Sequence, residues 1–195
     1  MTYTPQNFDH LLGTAGFSDQ LLKNHFTLYQ GYVTNTNKLI DLMMNMVKDG
    51  KTATPEFTEL KRRFGWEFNG MRLHELYFSN MNKSRTSFNT TSNLSKLITA
   101  QFGSYEQWET AFKAVGSMRG IGWVMLSYDP VGKKLFNLWV NEHDVGHLTG
   151  TIPLLIMDVF EHAFMIDYGL KRGDYITAFF NSIDWSVVEQ RLVYY

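Results

Sequence analysis

The sequence predicts an α+β fold: an N-terminal helical hairpin domain, then a C-terminal domain in which helices flank a three-stranded antiparallel sheet. Three observations predict it. The first eighty residues carry long apolar stripes at helical spacing, with no alternating segment. "GWVMLSYD" and "KLFNLWV" flank a turn holding Asp129, Pro130 and Gly132, the pattern of a β-hairpin. "TIPLLIM" follows as a continuous apolar run, the pattern of a strand buried on both faces.

Each element has its own signals. Ser18 stands as N-cap before "DQLLKNHFTLYQGYVTNTNKLIDLMMNMVKDG", which reads as one long helix or two stacked ones, closed by Gly50. "TPEFTELKRRFGWEFNGMRLHELYFSNM" is further helix, with Pro55 in its first turn. Residues 82–93, "NKSRTSFNTTSN", are rich in Ser, Thr and Asn and divide the chain, giving expected domains at 1–85 and 92–195. "LSKLITAQF" and "SYEQWETAFKAVGSM" read as two helices before the hairpin, and helical signals return from Glu161 to the end.

Composition limits the chemistry. Hydrophobic residues make up 44% of the 195, enough for a sizeable core. Eighteen basic and 19 acidic residues give a net charge of −1, so there is no general field for nucleic acid. No apolar run approaches a membrane span, and "MTYTPQNFDHLL" lacks the pattern of a secretory signal, so a cytoplasmic protein is expected. The absence of cysteine excludes disulfides, thiolate metal sites and cysteine nucleophiles. "GSMRGIG" precedes a strand instead of opening a helix, so it is no phosphate loop.

Six histidines remain. His25 shares a helix face with Tyr29 and Tyr32, and His74 shares one with Tyr77 and Phe78, so each alone reads as a core residue. Asp158 ends an apolar strand and His162 follows four positions later, which alone suits a buried ion pair as well as a metal site. Together, three imidazoles and a carboxylate on apolar elements compose a nitrogen–oxygen site suited to iron, manganese or zinc.

Several stretches resemble the iron/manganese superoxide dismutase family. "DVFEHAFMIDY" is similar to its Asp-Val-Trp-Glu-His-Ala motif, with Phe160 for Trp; "FNGMRLHELYFSNM", "GIGWVML", "GTIPLLIMD" and "AFFNSIDWSVVEQRL" resemble further family segments. The resemblance implies one iron or manganese ion per subunit, held by His25, His74, Asp158 and His162. It implies superoxide as substrate, no nucleic-acid or membrane partner, and a homodimer, with a homotetramer allowed. Glu161 matches a residue that reaches across the dimer, Tyr32 the gateway tyrosine, Trp123 a pocket wall, and Arg172, with Lys171 beside it, a steering cation.

The chain also departs from the family pattern. His25 and Tyr32 lie seven positions apart where the family usually has eight, which a helix without a π-bulge would explain and which brings Tyr29 to the place of an outer histidine. Met165 stands where most members have tyrosine. No glutamine is offered to the metal-bound solvent, and His143 is expected in that role, with Glu142 and His147 as alternatives. A non-catalytic protein of the same fold and a zinc hydrolase are the competing readings.

Overall fold

The computed structural model describes residues 2–84 and 86–193. The expected domain limits at residues 1, 85 and 195 fall outside them.

Two long helices form the N-terminal half. Helix α1 (Asp19–Lys48) is uninterrupted and starts where the Ser18 side chain accepts from the Leu21 amide. Its buried residues, Leu21, Leu22, His25, Phe26, Tyr29, Val33, Thr36, Leu39 and Met43, follow the three-to-four spacing of one helix face. Helix α2 (Pro55–Ser79) is capped by Thr54, packs against α1, and buries its second half. Helices α3 (Asn93–Phe102) and α4 (Tyr105–Gly116) follow, each started by a serine cap, Ser92 and Ser104.

The sheet has the order β2-β1-β3, with β1 (Gly122–Asp129) central between β2 (Lys134–Asn141) and β3 (Ile152–Asp158), all antiparallel. Register places Trp123 opposite Val140 on one side and Asp158 on the other. Gly122 is required there: its φ is +147° and a Cβ would sit 2.0 Å from the Val140 carbonyl oxygen.

The expected C-terminal helical run is broken. A 3₁₀ turn (Glu161–Ala163), a short α5 (Met165–Tyr168), α6 (Arg172–Asn181) and α7 (Trp185–Val193) replace it. Gly169, at φ +53°, ends α5 in a backbone conformation that a helix cannot continue.

Asn80 ties the halves together. Its amide exchanges hydrogen bonds with both backbone groups of Ile156, donating to the carbonyl (3.2 Å) and accepting from the N–H (2.9 Å). Half-buried Arg191 donates to the Leu154 and Leu76 carbonyls and to Asn80 Oδ1. Burial lowers its guanidinium to about 10, so it stays charged at neutral pH. The strand ending in Asp158 is thereby fixed against the helix carrying His74.

Candidate metal centre

Four elements deliver one side chain each to a common point. His25 comes from α1, His74 from α2, Asp158 from the end of β3 and His162 from the 3₁₀ turn, and their ligand atoms lie within 4.8 Å of one another. Asp158 Oδ2 is 3.2 Å from His25 Nε2, 3.2 Å from His162 Nε2 and 3.7 Å from His74 Nε2. His25, His74 and Asp158 are buried, whereas His162 keeps part of its side chain exposed.

The protonation pattern suits a cation. His74 Nδ1 donates to the Gly70 carbonyl at 2.5 Å, so the neutral ring leaves Nε2 bare. That nitrogen is buried and has no hydrogen-bond partner. An unmet buried polar atom costs about 1–3 kcal/mol, so a ligand for it is favoured. Burial lowers the pKa of His25 and pushes that of His74 well below its ordinary value. Burial would raise Asp158, but His162 and His25 beside it prevail and hold the carboxyl well below the usual range. Two imidazoles kept neutral by burial, the third imidazole of His162 and an ionised carboxylate make up a nitrogen–oxygen donor set that iron or manganese takes.

Further contacts orient the donors. Asp158 Oδ1 accepts from the Phe160 amide at 2.8 Å, which turns Oδ2 towards the histidines. The Asp158 carbonyl accepts from the Tyr175 hydroxyl at 2.5 Å, and that hydroxyl lies 3.2 Å from the one on Tyr77. The Tyr29 ring lies 6.3 Å from that of His74, and its hydroxyl donates to Glu75 Oε1 at 2.9 Å and accepts from the Gln6 amide. Burial and Glu75 push the Tyr29 hydroxyl up to about 12.

Beside the cluster, the Tyr32 ring stacks on His74, with centroids 5.2 Å apart. Its hydroxyl lies 2.7 Å from His143 Nε2, and Trp123 Nε1 donates to His143 Nδ1 at 3.0 Å. His143 is fully buried, and burial pulls its imidazole down to about 4. Of the three loop alternatives, His143 is the one at Tyr32. Glu142 accepts instead from Trp66 Nε1 at 3.0 Å, and His147 donates Nε2 to the His143 carbonyl at 2.9 Å.

Two expected residues lie elsewhere. Glu161 and Arg172 line an open cavity of about 460 Å³ together with Met118, Ile121, Leu170 and Lys171. The Arg172 guanidinium donates to the carbonyls of Met118 (2.7 Å) and Gly120 (2.9 Å).

Sequence reasoning missed Trp66 and the part played by Phe160. Trp66 sits edge-on to His143, centroids 4.4 Å apart, and beside Tyr32. The spacing Trp66, Gly70, His74 was the available signal, since steps of four share one helix face. Phe160 stacks on both His143 and His162, at 4.8 and 5.1 Å.

Residues 90–191 match the family model for the C-terminal domain of iron/manganese superoxide dismutases. A manganese superoxide dismutase of Haloarcula marismortui is 36% identical over 184 residues, covering 93% of this chain and 87% of that protein. An iron superoxide dismutase of Sulfolobus acidocaldarius is 32% identical over 170 residues, covering 86% and 81%. One from Cupriavidus metallidurans, also an iron enzyme by name, is 35% identical over 176 residues, covering 88% and 86%.

The chain belongs to the iron/manganese superoxide dismutase family. The His25–His74–Asp158–His162 cluster lies in the fold of that family as a group able to hold one metal ion. Relatives named for manganese and for iron match almost equally well, so similarity does not choose between the two metals.

Proposed function

We propose that this protein is a superoxide dismutase, with His25, His74, Asp158 and His162 as the ligands of one iron or manganese ion. The observation that carries the reading is the bare, unpartnered Nε2 of His74 facing an ionised Asp158 between two further imidazoles. When bound, the ion supplies a one-electron step in each direction, so that two superoxide anions and two protons become dioxygen and hydrogen peroxide.

The chain's own residues hold that ion and manage protons. Family membership and donor chemistry support the ligand set. The half of the chain up to residue 85 gives His25 and His74, and the half from 92 gives Asp158 and His162. Tyr32 and His143 form the polar pair beside the site, while Phe160 and Trp123 keep its wall apolar and dry. Arg172 and Lys171 offer positive charge to an approaching anion.

A homodimer is part of the proposal. Met118, Ile121 and Leu170 are exposed around Glu161, and an apolar rim of that kind suits a second copy, whose site Glu161 would reach. Among the described residues no helix is long and apolar enough to cross a membrane; a cytoplasmic location fits the sequence.

The test is anaerobic purification with elemental analysis, then superoxide-scavenging assays of separately iron-loaded and manganese-loaded protein. Near-stoichiometric binding with activity for at least one metal is expected. Stoichiometric metal with no scavenging in either form would overturn the reading.

A further inference from the structure

His143 lies between two partners that together decide which of its nitrogens carries hydrogen. Trp123 Nε1 is 3.0 Å from Nδ1, and an indole N–H can only donate. A neutral imidazole has one N–H and one bare nitrogen, so the nitrogen receiving a hydrogen bond is the bare one. The hydrogen therefore sits on Nε2, 2.7 Å from the Tyr32 hydroxyl oxygen. A charged ring would set an N–H at Nδ1 against the indole N–H. Complete burial opposes that charge as well. The rest of the ring meets carbon: Phe160 stacks on it and Trp66 lies edge-on.

We infer that Trp123 locks His143 as its Nε2–H tautomer, so that His143 donates to Tyr32 and the Tyr32 hydroxyl hydrogen is left for a third group. The consequence for turnover rests on the superoxide dismutase reading; the tautomer does not. His143 then has no bare nitrogen facing Tyr32 and cannot take a proton from it. When the Tyr32 O–H bond breaks, its proton passes to the peroxide that one-electron reduction of superoxide yields, and the bonding electron pair stays on the phenolate oxygen, which Nε2–H of His143 continues to hold. A water molecule then returns a proton to the phenolate and leaves as hydroxide to bulk solvent. Tyr32 borders an open cavity of about 220 Å³ beside Leu28, Gly31, Asn35 and Trp66, whereas His143 is fully buried and does not line it. The proton path thus runs through Tyr32 alone, and His143 is a positioning residue.

Long-range ¹H–¹⁵N spectra of the full chain, metal-free and loaded with zinc as a diamagnetic ion, read the tautomer directly. The His143 signals are those lost in His143→Gln. The expected result at neutral pH is a protonated Nε2 and a bare Nδ1, well separated in nitrogen shift. Tyr32→Phe should keep that pattern, because the Trp123 bond remains, and Trp123→Phe should introduce Nδ1–H. An Nδ1–H form in the unmodified protein overturns the inference. A tautomer switch in Tyr32→Phe, or an unmixed Nε2–H form in Trp123→Phe, overturns the lock. If Trp123→Phe does not fold, the other two spectra decide. An active enzyme with Nδ1–H would sink the tautomer alone, and an inactive protein with Nε2–H would sink the functional reading alone.

Discussion

The ring of Tyr32 rests on the backbone of Gly70: a Cβ built at Gly70 would lie 2.6 Å from Tyr32 Cδ1. Glycine inside a helix costs about 1 kcal/mol relative to alanine, so its presence midway along α2 needs a reason. The reason is room for the tyrosine that meets His143.

Gly70→Ala should therefore push Tyr32 away from its place against His74 and His143. Overpacking of this kind costs roughly 1–3 kcal/mol, more than the helix gains. A shift of about 1 Å in a positioned group can lower a rate by up to roughly a hundredfold. Assays beside elemental analysis should show reduced activity with metal content retained. Full activity would mean that Tyr32 needs no such precision.

Asp158→Asn tests the cluster. The variant keeps the shape but removes the one negative charge among the donors. Metal affinity should fall by more than the roughly 10–100-fold that a change in an outer hydrogen-bond partner costs. Competition with a chelator measures it. The unmodified protein should also gain thermal stability on metal loading, because binding to the folded state alone shifts unfolding; Asp158→Asn should lose that gain.

Acid should destabilise the metal-free protein. The unfolded chain binds protons at histidine below its ordinary value of 6.5, while burial lowers His143 to about 4 and also lowers His25 and His74. Between those values the unfolded state holds more protons, so stability falls as pH drops. For His143 alone the gap corresponds to roughly 3 kcal/mol, complete below about pH 4. Asp158 acts in the same direction at lower pH, since its contribution is present above the ordinary carboxyl value and fades in stronger acid. Urea unfolding of metal-free protein from pH 8 to pH 4 checks this, and His143→Gln should flatten the curve.

Arg172 combines charge with a two-carbonyl grip on Met118 and Gly120. Arg172→Lys keeps the charge without the fork, and Arg172→Gln loses both. At low ionic strength kcat/KM should fall for the glutamine variant and hold for the lysine variant, with the difference vanishing in salt. Equal rates for both would assign the arginine to support of the segment before β1 and not to steering.

Leu170, 92% exposed beside the Glu161 cavity, tests the proposed homodimer. Leu170→Asp should shift sedimentation from dimer towards monomer while the far-ultraviolet circular dichroism stays unchanged. An unaltered mass would place the dimer contact elsewhere.

Much of this protein was legible along the chain because its signals are local. Ser18 caps the first helix and Pro55 lies in the first turn of the second, as read from the chain, and the Asp129–Gly132 turn sets the hairpin. The absence of thiols left His, Asp and Glu as the available donors. Other features depend on groups remote in sequence, and only the folded chain decides them. The packing of α2 against β3, fixed through Asn80 and Arg191, brings His74 to Asp158. The opposed positions of Tyr32 and Trp123 settle where the hydrogen on His143 resides. Residue types and spacings determine which donors exist, whereas the direction of a hydrogen bond and the depth of burial arise from neighbours on other elements, 20 positions away for Trp123 and His143 and 133 for His25 and Asp158.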